Sequence, residues 1–82
     1  STLPFKVVGV DYWNGVPMAT ISLKDISGSS HYRVMGKGMK FSCMSQSMKI
    51  QGCSNWTLSK ISTHPNVIVF KNEQDKLVKV EV

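Results

Sequence analysis

The chain is poor in carboxylates and in arginine. It has five acids, Asp11, Asp25, Glu73, Asp75 and Glu81, and a single Arg33 against nine lysines. Asp25, Glu73 and Asp75 fall where the pattern reads as turns, in which Asp caps or is solvated, and no two acids stand out as a general acid and base. No nucleophile elbow is present. No C-x₂₋₄-C pair exists and His31 and His64 are far apart, which argues against zinc, and without C-x-x-C there is no redox motif. The expectation is therefore a protein that is not an enzyme and uses no cofactor. Also missing is any run of about 18 apolar residues, so no helix would span a membrane. The opening Ser1-Thr2-Leu3-Pro4 lacks the basic and apolar regions of a secretory leader. Beginning without Met, the chain reads as a mature or excised piece, with any anchor outside it. Finally, no stretch longer than about ten residues carries the helical period.

What is present is alternation. Ala19-Thr20-Ile21-Ser22-Leu23 and Val78-Lys79-Val80-Glu81-Val82 put every second, apolar residue on one side. A period of two means strands with one face on a core and one in water. Six such strands are expected, roughly over residues 5–12, 18–23, 31–35, 56–61, 67–70 and 77–82. Asn14-Gly15 suits a two-residue type I′ turn between the first two, because both positions need φ > 0. Gly9 inside the first strand marks a bulge, a barrel bend or a close backbone approach. Phe5 and Val7 are read on one face of that strand, with Val8, Val10 and Tyr12 on the other. Trp56, Leu58 and Lys60 are likewise set against Thr57, Ser59 and Ile61. Val67-Ile68-Val69-Phe70 is continuously apolar and reads as the most buried strand, with Val69 a core position. Gly36-Lys37-Gly38 lacks the rest of a phosphate loop and reads as a turn. His31 and His64 read as loop residues, and residues 71–75 as a polar hairpin loop. The chain is expected to be one all-β domain over 1–82, a small six-stranded antiparallel barrel or sandwich. A domain of this length buries only about 60 to 65 % of its unfolded surface, so its core is thin.

Cys43 and Cys53, with nine residues between them, bracket the worst-patterned part of the sequence, 44–52, within an excursion over 39–52. An even cysteine count at short spacing in a small domain points to one disulfide and an oxidising compartment. Closing a loop of about ten residues would contribute on the order of 2 to 3 kcal/mol. Two separate buried thiols in a reducing compartment are the alternative.

The formal net charge is +5, with pI ≈ 9.5. Lysines on exposed strands and edges discourage aggregation. Nucleic acid, anionic lipid or an acidic protein are the functional readings. Nucleic-acid readers favour Arg with interleaved aromatics, and here Trp13, Tyr12, Tyr32 and Trp56 are the rings available.

The succession Val7-Val8-Gly9-Val10, Ala19-Thr20-Ile21, Tyr32-Arg33-Val34-Met35-Gly36, Leu58-Ser59-Lys60-Ile61, Val67-Ile68-Val69 and Leu77-Val78-Lys79-Val80 resembles two related domains. These are the periplasmic homology-region domain of type II secretion protein C and the β-domain of the type IV pilus assembly lipoprotein P. The chain departs from them in Lys37-Gly38, where the family usually has an acid, and in the cysteine-bracketed excursion. The resemblance implies a periplasmic, inner-membrane-anchored scaffold that links an inner-membrane complex to the N-terminal domain of an outer-membrane secretin. It implies no small-molecule substrate, and membrane contact only through an anchor elsewhere. Strand one, with two apolar faces, is the expected protein-binding site: Lys6, Val7, Val8, Gly9, Val10, Asp11 and Tyr12. Cover for Phe5 and Val7 from the Met-rich excursion is the competing reading. The competing function is a small basic OB- or SH3-like barrel that binds nucleic acid.

Overall fold

The computed structural model describes residues 3–42, 44–45, 48–49 and 55–82. Cys43 and Cys53, and the bond expected between them, lie outside the described residues. Every regular element among the described residues is a strand: β1 Lys6–Trp13, β2 Val16–Lys24, β3 Ser30–Met35, β4 Lys40–Ser42, β5 Met44–Ser45, β6 Met48–Lys49, β7 Asn55–Ser62, β8 Val67–Asn72 and β9 Leu77–Glu81. They form two antiparallel sheets, β1-β2-β3 (sheet I) and β4-β7-β8-β9 (sheet II), while β5 and β6 pair with each other. Among the described residues no ladder joins the sheets, so of the two expected architectures the closed barrel is not formed. The six expected strands are all present, with ends shifted by a residue or two. The seventh strand of the two sheets, β4, lies at the start of the 39–52 excursion, to which the pattern assigns no strand; it pairs with β7 and sends Phe41 into the core.

The local chemistry explains the hairpins. Asn14 and Gly15 both have positive φ (50° and 78°) and Trp13 faces Val16, the geometry of a I′ turn whose twist matches its strands. At the β8–β9 hairpin, Asn72 Oδ1 accepts from the Gln74 and Lys76 N–H groups at 3.0 and 2.9 Å. Asn72 thereby satisfies the loop's donors locally.

One core lies between the sheets. Ala19, Ile21, Leu23 and Met35 of sheet I meet Phe41, Trp56, Leu58, Ile68, Phe70 and Val78 of sheet II. Phe5, just ahead of β1, contacts Phe41, Trp56 and Phe70 edge-on, with centroids 5.0, 5.7 and 4.9 Å away. Such contacts add about 0.5 to 1.5 kcal/mol each beyond area burial. Phe5 is thus covered by rings of sheet II, and one of them, Phe41, comes from the start of the excursion.

A bulge in each sheet resets the alternation. In β1 the register shifts between Val7 and Gly9, and in β7 between Leu58 and Lys60. One extra residue, Val8 or Ser59, turns the remainder of its strand over. Val7 faces Ile21 and Val10 faces Ala19, so both valines point inward, contrary to the opposed faces expected. Ile61 faces Ile68 on the core side and Lys60 faces Val69 on the water side, again reversing the expected sides. Val69 is therefore a half-buried outer residue of a central strand, and the core positions of β8 are Ile68 and Phe70, both with no exposed surface. His31, read both as the first residue of the third strand and as a loop residue, lies in β3 as the strand reading has it.

Candidate docking face

β1 is an edge strand of sheet I. Of its expected binding residues, Lys6, Val8 and Asp11 are exposed, while Val7 and Val10 pack against the core. A Cβ placed on Gly9 would meet nothing within 4 Å, so the surface there is open. The Asp11 carboxylate accepts the Tyr12 N–H at 2.9 Å. Tyr12 lies at the end of the inward row, and its hydroxyl is 2.7 Å from Thr63 Oγ1, tying β1 to the turn after β7. The structure thus divides the seven residues between interior, edge and outer face. The edge carries a bulge, which twists it away from unspecific pairing.

The outer face of sheet I is broader than β1. Register places Lys6, Ser22 and Tyr32 in one row, Gly9, Thr20 and Val34 in the next, then Asp11 with Met18, then Trp13 with Val16. Trp13 is 62 % exposed and Tyr32 66 %; Val8, Val16 and Val34 are exposed too. Met18 lies across the sheet over Gly36, where a Cβ would come within 2.8 Å of its sulfur. Gly36 thereby leaves room for the thioether to lie flat. Aromatic rings and aliphatic side chains around a flexible Met are the composition of protein-binding surfaces. Sequence reasoning missed the contribution of β2 and β3. The shared side of Tyr32 and Val34 was readable, but not that it is the side away from the core. Of the four candidate stacking rings, Trp56 is in the core and its Nε1 has no partner among the described residues.

The β2–β3 loop at the rim is held by Asp25. Its Oδ1 accepts from the Ser27 hydroxyl and N–H (2.6 and 2.9 Å) and from the Ser29 N–H (3.0 Å). Its Oδ2 sits 2.7 Å from His31 Nε2. The Ser27 hydroxyl first, then His31, then the backbone donors hold the Asp25 carboxyl well below the usual carboxylate range, against a smaller opposing effect of desolvation. These partners use up Asp25 in fixing the loop. Among the described residues no three His, Cys, Asp or Glu side chains come together as a metal site would require.

Comparison with known proteins finds no matching family model, no similar curated protein and no similar solved structure.

Proposed function

We propose that this chain is a non-enzymatic periplasmic scaffold domain of a type IV pilus, type II secretion or related envelope machine. In this reading it links an inner-membrane complex to the N-terminal domain of an outer-membrane secretin, in a full-length protein anchored in the inner membrane. The observation that carries the reading is the pairing of the open β1 edge with an outer face bearing Trp13, Tyr32, Val34 and Val8. An exposed strand edge gives main-chain hydrogen bonds to a partner, and neighbouring apolar side chains give it selectivity. The two-sheet fold and the order of strand motifs noted above support the same reading. The test is an amide chemical-shift titration with a cognate secretin N-terminal domain. Shifts are expected at Lys6, Val8, Gly9, Asp11, Tyr32 and Val34. Shifts confined to sheet II, or none at millimolar partner, would overturn it.

Nucleic-acid binding is the second reading, favoured by the outward rings of Trp13 and Tyr32. A salt titration against single-stranded DNA separates the two, since phosphate binding weakens steeply as salt rises.

A further inference from the structure

The outer face of sheet II is unlike that of sheet I. Register puts Lys40, Thr57, Lys71 and Leu77 in one row and Lys60, Val69 and Lys79 in the next. All four lysines point away from Leu58, Phe70 and Val78, which fill the core between these rows. Within each row the lysines are two strand spacings apart, about 10 Å. The row of Lys60 and Lys79 contains no acid. At the other row Asp75 lies 3.7 Å from Lys71 in an exposed pair, a contact of small energy. Glu81 is opposite Val67, one row further on. A shallow open groove of about 460 Å³ borders the Lys40–Lys71 row, lined also by Asn55 and Glu73.

We propose that this face lies against an anionic phospholipid surface. Three observations select that occupant. No aromatic ring lies in these rows, because Phe41, Trp56 and Phe70 all turn inward, so single-stranded nucleic acid would find no stacking platform. Arg33 is in sheet I, so the sheet II rows carry lysine alone. Protein interfaces enrich arginine and aromatics and are depleted of lysine. Lysine is a mobile, hydrated point charge, suited to a diffuse plane of phosphates and not to a fixed bidentate partner. Between the charges, exposed Leu77 and half-buried Val67 and Val69 present aliphatic surface, along which lysine stems can lie with their ammonium groups at headgroup level. Charges spread over one open sheet face suit a membrane surface, where each lysine adds to the attraction of anionic lipid.

The test is co-sedimentation of the 82-residue chain with phosphatidylcholine vesicles, with and without about one-third phosphatidylglycerol. Binding is expected to the anionic vesicles alone and to fall with salt. K60Q/K79Q should lower partitioning about fivefold per lysine, hence about 25-fold for the pair. K24Q removes one charge from sheet I and should change it by less than about twofold, because that position faces away and is screened. A circular dichroism melt confirms that each variant is folded. Equal losses per lysine removed from either sheet would mean that net charge alone acts, and would overturn the proposal. So would equal binding to neutral vesicles, no binding at low salt, or binding to a single-stranded oligonucleotide in place of vesicles. The result is independent of the secretin titration, which reads the opposite face.

Discussion

Sheets I and II share an interior and present opposite exteriors. Inside, sheet I contributes non-aromatic apolar side chains and sheet II both aliphatic and aromatic ones to one cluster around Phe5. Outside, sheet I shows Trp13, Tyr32, Val16 and Val34, while sheet II shows Lys40, Lys60, Lys71 and Lys79 around half-buried valines. Period two with one bulge per sheet is enough to build either layer. What differs is the set of outward residues, which packing leaves free to vary. Function in this molecule is therefore to be sought in the contrast between two outer faces on a common core.

The largest effect should come from breaking what the sheets have in common. Phe5→Ala removes a ring that touches three aromatic residues of sheet II from a position joined to sheet I. A Phe→Ala change in a core costs about 3 to 5 kcal/mol, a large fraction of the stability of so small a domain. Urea unfolding should show both sheets lost in one transition at a lower midpoint. A change under about 1 kcal/mol would mean that Phe5 belongs to a fraying end and that the sheets are not held by it.

Adjacent residues of β8 sharpen the contrast between inside and outside. Ile68 has no exposed surface, and an aspartate there would bury an unpaired carboxylate at a cost of several kcal/mol. Val69 lies between Lys60 and Lys79, so Val69→Asp places the new charge beside two cations. Opposite charges across strands contribute about 0.2 to 1 kcal/mol, which offsets much of the lost β-propensity. Ile68→Asp should prevent folding at 37 °C or nearly so, and Val69→Asp should shift stability by less than about 1 kcal/mol. Equal melting shifts would show that β8 has no water side.

Much of this fold was legible in the residues, and the misses have one main cause. Alternation located the strands, Asn14-Gly15 fixed the first hairpin, and Gly9 flagged the irregularity in β1. Alternation cannot carry its phase across a bulge, so every side assigned beyond Val8 or Ser59 came out reversed, including those of Val10, Lys60 and Ile61. Ser59 offers no glycine to announce its bulge; the signal was that unbroken alternation would have put Lys60 beside Leu58 in the core. A continuous apolar run does not say which residues are covered by protein and which by neighbouring lysine stems, hence the exchange of Val69 for Ile68. β4 was hidden because three residues are too few to show a period. At the candidate site, the edge status of β1 depends on which strands pair, a tertiary fact that no local pattern carries. The ligation of Asp25 by Ser27, Ser29 and His31 was equally unreadable, since the sequence shows only a turn.

That loop supplies the smallest and most condition-dependent difference between the sheets, because the carboxylate that fixes it belongs to sheet I. Asp25 is held below the usual carboxylate range chiefly by the Ser27 hydroxyl and then by His31. A carboxyl depressed in the native state contributes stability above its unfolded value of about 4, and loses it as pH falls through the native value. Asp25→Asn keeps an oxygen for the Ser27 and Ser29 donors but gives up the charge that faces His31. The variant should therefore melt slightly below the parent at neutral pH. The gap should persist down to about pH 4 and close progressively below it. Thermal melts of both proteins from neutral pH to about pH 2 would follow this. A gap that stays constant to the lowest pH would show that the Asp25 charge contributes nothing, and that the turn is held by its hydrogen-bond pattern alone.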